Sequence, residues 1–267
     1  MPQSTLNNKA NFIAATENFS STNKTDLLLH LADNTLILAQ RNAAWCGHGP
    51  VLEQDIALTN ISLDLLGQSM NFYDYAAILS GGGTTADELA YLRTERAFKN
   101  CLLVEQPNGH WGQTILRQFF FSVYQYFLYQ QLQQHSDNTI AAIAIKSLKE
   151  VTYHVRWTSE WVIRLGDGTT ESHEKMLPAL TILWPYTGEL FMPAAYESFD
   201  SIGFNLIDLK ENWFEKVKAV LVAATLPIPA ADIFMQTGGK NGLHSEHMGF
   251  ILAELQYLQR SYPGSKW

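Results

Sequence analysis

The run TILRQFFFSVYQYFLYQQL, residues 114–132, is apolar or aromatic on nearly every side of a helix. A helix of this kind is usually buried all round, so we expect it to lie at the centre of the fold. From Gln106 to Ser136 the chain contains no Asp and no Glu. The central helix is therefore predicted to bring no carboxylate to any site in the core.

Glycine and proline divide the rest of the chain into helical segments, and Thr85 and Glu88 form a capping-box pattern. No segment has the alternating pattern of a β-strand. We predict an all-α bundle with additional C-terminal helices, a mobile tail over residues 1–24 and a single domain over residues 25–267. The predicted helices cover residues 27–45, 51–79, 85–104, 114–132, 139–165, 212–226 and 244–260, and a further segment from TESHEKM is expected to be kinked or broken at Pro178 and Pro185.

The composition of the chain excludes several classes of protein. Of its 267 residues 46% are hydrophobic and 16% are charged, which is enough apolar material for a large core. The formal charge of −8 argues against binding to nucleic acids and to anionic membranes. The N-terminus has no secretory signal pattern, and no uncharged apolar run is long enough to span a membrane. We expect a cytoplasmic protein.

A bundle of long helices raises the possibility of a di-iron carboxylate site. Such a site takes one Glu from each of two helices and a Glu-x-x-His pair from each of two others. None of the eight histidines has Glu or Asp three residues before it, and the central helix has no acid. A standard site is thus excluded. Asp64, Glu150 and His154 could still bind a metal in another way, but hydrogen bonding to neighbouring side chains is the more common use of buried polar residues.

The other candidate sites are weaker. His244 and His247 could share a helix face but have no third ligand, so a hydrogen-bonded loop is expected. The segment TGGKNG, residues 237–242, lacks the ending of a phosphate-binding loop. Cys46 and His48 have no acid to orient them as a catalytic pair, and Cys101 has the surroundings of a buried structural thiol.

Four segments together point to a family. They are WCGHGPVLEQDIALTNISLDLLGQSMNFYDYAA (45–77), LLVEQPNGHWGQTILRQFF (102–120), RLGDGTTESHEKM (164–176) and TGGKNGLHSEHMGFILAELQYLQRSYPG (237–264). The sequence resembles the structural subunits of ring-1,2-phenylacetyl-CoA epoxidases, which are multicomponent oxygenases of bacterial phenylacetate degradation. The resemblance covers roughly residues 25–267. It implies a ferritin-like fold without metal, beside a related catalytic chain that holds a di-iron centre.

The metal-binding pattern of the catalytic chain can be placed on this sequence. One Glu-x-x-His falls on Leu65 and Gln68, the other falls on Val151 and His154, and a lone Glu falls near Thr35. A shift of one residue at the first pair would substitute Asp64 and Gly67, which is no closer to the pattern. We expect the place of the metal to be closed by hydrogen bonds or an ion pair. The polar positions predicted for this lost site are Thr35, Asp64, Gln68, Arg117 and His154.

Asp64 and Gln68 share one helix face, and a buried carboxylate such as that of Asp64 needs a partner. Arg117 on the central helix and Lys149 near His154 are the two available cations, and the sequence does not choose between them.

The resemblance implies a structural role with no catalytic residue and no cofactor in this chain. The catalytic di-iron subunit is the expected partner, and the reductase subunit is a possible indirect one. Phenylacetyl-CoA would be the substrate of the complex, which would use oxygen and NADPH through a reductase that carries FAD and an iron–sulfur centre. Two alternatives are a free-standing di-iron oxygenase and a helical bundle that binds a small molecule. Iron content tests the first, and co-purification with another helical chain tests the second.

Overall fold

The structure is a computed structural model that describes residues 4–197 and 204–265, with the backbone alone for residues 4–22. Within these ranges the chain forms ten α-helices and no β-strand, so the predicted all-α class is confirmed. The helices are α1 (Ser4–Ala43), α2 (Leu52–Ser80), α3 (Ala86–Tyr91), α4 (Leu102–Glu105), α5 (Trp111–Leu132), α6 (Asn138–Asp167), α7 (Thr170–Leu183), α8 (Leu206–Ala223), α9 (Glu246–Leu255) and α10 (Tyr257–Ser261).

Four long helices make the bundle. Helix α1 packs along α2, α5 packs along α6, and α2 also contacts α6. Helix α5 touches α7 and α8 as well, and every residue from 112 to 125 is buried. The prediction of a central helix is therefore confirmed. The C-terminal helices α7 to α10 are the predicted additions, and α9 contacts both α1 and α4.

The first helix begins much earlier than the sequence predicted, at Ser4 rather than near residue 27. Residues 1–3 lie outside the described residues, and the side chains of residues 4–22 are not described. The mobile tail over residues 1–24 and the single domain over residues 25–267 therefore stay predictions. Helices α2 and α6 match their predicted ranges within two residues at each end.

The prediction of one helix from Thr85 to about residue 104 is wrong, because α3 ends at Tyr91. The predicted capping box is present, since the Thr85 hydroxyl accepts a hydrogen bond from the Glu88 amide at 3.2 Å. After the end of α3, two side chains of α1 accept hydrogen bonds from backbone amides of the following segment. Asp33 accepts from the Lys99 amide at 2.7 Å, and Asn34 accepts from the Cys101 amide at 2.9 Å. These amides are then not available for helix hydrogen bonds.

Only one of the two prolines lies where the helix ends. Pro178 lies inside α7 without ending it, whereas Pro185 lies in a 3₁₀ turn, Trp184–Tyr186, that follows the end of the helix. Two more 3₁₀ turns follow within the described residues, and α8 then begins at Leu206, earlier than the predicted start at residue 212. The predicted C-terminal helix is divided into α9 and α10 at Gln256.

Candidate functional site

The polar cluster at the centre of the bundle joins three helices. Gln68 of α2 donates from Nε2 to Glu150 Oε2 of α6 at 2.9 Å. Its Oε1 accepts from Tyr129 OH at 3.1 Å and from Gln125 Nε2 at 3.2 Å, both on α5. Gln68, Gln125 and Tyr129 are each almost fully buried. One amide side chain thus connects α2, α5 and α6.

A second contact joins α2 to α6 one helical turn away. The Nε2 of His154 lies 2.9 Å from Asp64 Oδ2. His154 is fully buried, whereas the side chain of Asp64 is about one third exposed (36%). The other ring nitrogen of His154, Nδ1, is buried and has no hydrogen-bond partner in the described structure. The pair is an ion pair only when the imidazole is protonated, and otherwise the neutral imidazole can donate from Nε2 to the Asp64 carboxylate.

Burial governs the acidity of the cluster. It raises the pKa of Glu150 above its usual value, and the hydrogen bond from Gln68 opposes this shift in part. Burial also raises the pKa of Tyr129, so the phenol remains protonated and donates its hydrogen to Gln68. A neutral phenol and two amides therefore occupy the middle of the bundle, and the carboxylate of Glu150 lies at its half-buried edge.

The arrangement does not fit a di-iron site. Leu65 and Val151, which fall where the catalytic pattern has Glu, are both fully buried and carry no donor atom. The Gln68 side chain is already bonded to three neighbours. Within the described ranges, no group of three or more His, Cys, Asp or Glu side chains is placed to hold a metal ion. A site for two irons needs about four carboxylates, and this centre has only Asp64 and Glu150.

Of the five predicted positions, the structure brings three into or beside this cluster: Asp64, Gln68 and His154. Thr35 instead donates to the carbonyl oxygens of Leu31 and Ala32 in its own helix, at 3.1 and 2.9 Å. It contributes no side-chain hydrogen bond to the cluster among the described residues.

Arg117 is also elsewhere. Its NH2 group donates to Asn108 Oδ1 at 2.7 Å and to Asn42 Oδ1 at 3.3 Å. Burial, and then the nearby Arg41, lower its pKa to about 9. The expectation that Arg117 or Lys149 pairs with Asp64 is wrong, because the partner of Asp64 is His154.

Gln125 and Tyr129 are the two members of the cluster that the sequence did not predict. They lie four residues apart on one face of α5, inside the aromatic run that predicted only a core helix. A glutamine followed by a tyrosine at that spacing in an acid-free helix was the available signal.

The histidine motif near the C-terminus is a hydrogen-bonded loop, as predicted. His244 Nδ1 lies 3.0 Å from Glu105 Oε2, and the Ser245 amide donates to Glu105 Oε1 at 2.7 Å. Burial disfavours the charged imidazole, but the hydrogen bond and the charge of Glu105 outweigh it and raise the pKa of His244.

The glycine-rich segment before that loop is occupied by carboxylates of the protein itself. Glu189 Oε1 accepts from the amides of Gly238 and Lys240, at 2.7 and 3.3 Å. The Lys240 ammonium forms a buried ion pair with Glu197 at 2.9 Å. Carboxylates of the protein therefore bind two amides and the ammonium group of this segment. Cys101 is buried, also as predicted, and burial raises the pKa of its thiol.

Four long helices around an apolar core, with polar side chains meeting between them, define an all-α, ferritin-like bundle. A family model described as "Phenylacetic acid catabolic protein" matches residues 11–267, and the chain belongs to this family. It is also 47% identical over 242 residues to one of the subunits of 1,2-phenylacetyl-CoA epoxidase from Escherichia coli (strain K12). That match covers 90% of this chain and 97% of the relative. The helices in the described part of the chain lack the combination of length and apolar character that a membrane span needs.

Proposed function

We propose that this chain is a metal-free structural subunit of a phenylacetyl-CoA epoxidase complex, in which it binds and supports the di-iron catalytic subunit. Membership of the phenylacetic acid catabolic family supports a role in phenylacetate breakdown. The similarity to a protein named as one subunit of an epoxidase supports assembly with other chains.

One observation carries the metal-free part of the proposal. The centre of the bundle contains hydrogen-bonded amides and a phenol in place of a set of carboxylates. Two iron ions bring a large positive charge that only several carboxylates can compensate. Leu65 and Val151 supply none. The same hydrogen bonds connect α2, α5 and α6, so they support a structural role for the cluster.

The chemistry of the complex would then belong to its other chains. The di-iron centre would be on the catalytic subunit, and FAD, the iron–sulfur centre and the NADPH site would be on the reductase. Phenylacetyl-CoA would be the substrate of the whole complex. The cytoplasmic location stays a prediction.

The test is to produce this chain alone and together with the metal-bearing chain of the same complex, in iron-rich medium. We expect the two chains to elute as one complex in size-exclusion chromatography, with iron in proportion to the catalytic chain only. Two irons per chain in this protein alone would support a free-standing oxygenase and contradict the proposal. Separate elution at micromolar concentration would contradict the subunit role and favour a bundle that binds a small molecule.

A further inference from the structure

Helix α2 exposes a row of apolar side chains on the side that faces away from the bundle. Its inner face packs in the core through residues such as Leu58, Ile61 and Leu65. On the outer face, Leu52, Ile56, Leu63 and Met70 are each more than half exposed, and Ile78 is exposed further along the same helix. Large apolar side chains concentrated on one helix face usually mark a protein interface.

The spacing of these exposed residues along α2 indicates which kind of structural element packs against them. Together with Thr59 and Leu66, the first four residues fall at positions 52, 56, 59, 63, 66 and 70, so that steps of four and three alternate. This is the a/d pattern of a coiled coil over three heptads, in which side chains fit between those of a second helix. We call these six residues the α2 seam. The pattern suits an α-helix aligned with α2 better than a small molecule or a lipid surface.

Gly67 gives a second, independent indication that a helix packs against α2. It lies beside the α2 seam, four residues after Leu63 and three before Met70, so the three are neighbours on the helix surface. Glycine is less favourable than alanine inside a helix. Apart from its own helical turn, no atom of the described residues lies within 4 Å of a Cβ atom added to Gly67, and the backbone there is not left-handed. Nothing within the described chain requires a glycine, whereas a closely approaching partner helix does.

The charge of α2 indicates the chemistry of the partner. The helix contains no Lys or Arg and four acidic residues. Asp64 is already paired with His154 of α6, whereas Glu53, Asp55 and Asp74 are in no ion pair among the described residues. Charges beside a seam select partners, so a second copy of α2 would add acid to acid without compensation. A helix with basic residues beside its own apolar row fits better.

We propose that the α2 seam is the docking surface for a helix of the metal-bearing subunit, with the closest approach at Gly67 and with Lys or Arg of the partner beside the acids of α2. The inference rests on the proposed function for the identity of the partner. It adds which face is used, that the occupant is a helix, and why that helix position is glycine.

The test compares three variants in their affinity for the purified metal-bearing chain, measured by titration calorimetry. Leu63→Lys places a charge in the seam. Gly67→Phe fills the approach point, where this chain alone has open space. Val222→Lys in α8 is the matched control, since Val222 and Leu63 are equally exposed at 60%. Thermal unfolding of each free variant checks that the fold is kept.

We expect Leu63→Lys and Gly67→Phe each to weaken binding at least tenfold, and Val222→Lys to stay within twofold of the unchanged chain. If both seam variants bind as tightly as the unchanged chain, the docking surface is wrong while the proposed function stands. If the unchanged chain does not bind the metal-bearing chain at all, both proposals fail. If the chain alone forms a dimer that Leu63→Lys dissociates, the occupant is a second copy and the inference is overturned.

Discussion

Replacing Gln68 by Met tests whether the central cluster stabilises the bundle as a unit. Methionine has nearly the same length as glutamine but cannot hydrogen bond in the same way. The Tyr129 hydroxyl would lose the acceptor at 3.1 Å, and Glu150 would lose the donor at 2.9 Å. A buried polar group left without a partner costs about 1–3 kcal/mol. Glu150 is only half-buried and can bind water instead, so we expect Gln68→Met to lower the free energy of unfolding by about 2–4 kcal/mol.

The decisive comparison is a triple variant, Gln68→Met with Gln125→Met and Tyr129→Phe. Replacing all partners of a buried hydrogen bond by apolar groups of similar shape is close to neutral. Two further substitutions should therefore restore part of the lost stability, which independent sites would not do. Urea unfolding followed by tryptophan fluorescence measures the stability of the unchanged chain, of Gln68→Met and of the triple variant. The control is Gln130→Met on the same helix, which is partly exposed and should change stability by less than about 0.5 kcal/mol. A triple variant less stable than Gln68→Met would refute the idea of a cooperative cluster.

The remaining predictions concern pH and metal. Because the pKa of Glu150 is raised in the folded state, the folded chain holds its proton more strongly, and stability falls as pH rises through that pKa. Glu150→Gln should remove this fall in unfolding experiments between pH 4 and pH 8, roughly the range above the ordinary Glu pKa. The pKa of His244 is also raised, so the stabilisation by its charged form is complete below about pH 6.5, the unfolded value, and is lost above its folded pKa. His244→Gln should therefore cost more at low pH than at high pH, and an equal cost at both would contradict it. The double variant Leu65→Glu with Gln68→His recreates one Glu-x-x-His, yet we expect no stoichiometric iron and a loss of about 2–5 kcal/mol or more from the buried Leu65 alone. Iron analysis and oxygenase assays measure the first part, and stable di-iron binding would show that the scaffold is nearly intact.

The central features of the fold could be predicted because they depend on local composition. The acid-free run 114–132 was enough to place α5 in the core, and the glycine and proline breaks gave the ends of α2 and α6. The end of α3 could not be predicted in this way. Asp33 and Asn34 bind backbone amides more than sixty residues further along the chain, and no local signal reports that contact.

The candidate site, too, could be predicted only where it depends on local sequence. The missing Glu-x-x-His pairs were visible in the sequence, since that pattern is local. The partner of Asp64 was not, because His154 lies ninety residues away and the choice between several candidates depends on how α2 and α6 align. Arg117 was misplaced for the same reason, since its contacts include Asn42 of α1.

The contacts of Glu105 also limit how early they can form while the chain is being synthesised. Its buried carboxylate is paired with His244, which lies 139 residues later in the chain. At roughly 5–20 residues per second, a ribosome needs about 7–28 s to add those residues. During that interval Glu105 has the Asn100 side chain as a donor but lacks His244 and the Ser245 amide. Glu189 likewise has the Leu102 amide but lacks the amides of Gly238 and Lys240. A polypeptide that stops before residue 238 therefore leaves both buried carboxylates without most of their native donors, and it should be removed by proteases instead of accumulating.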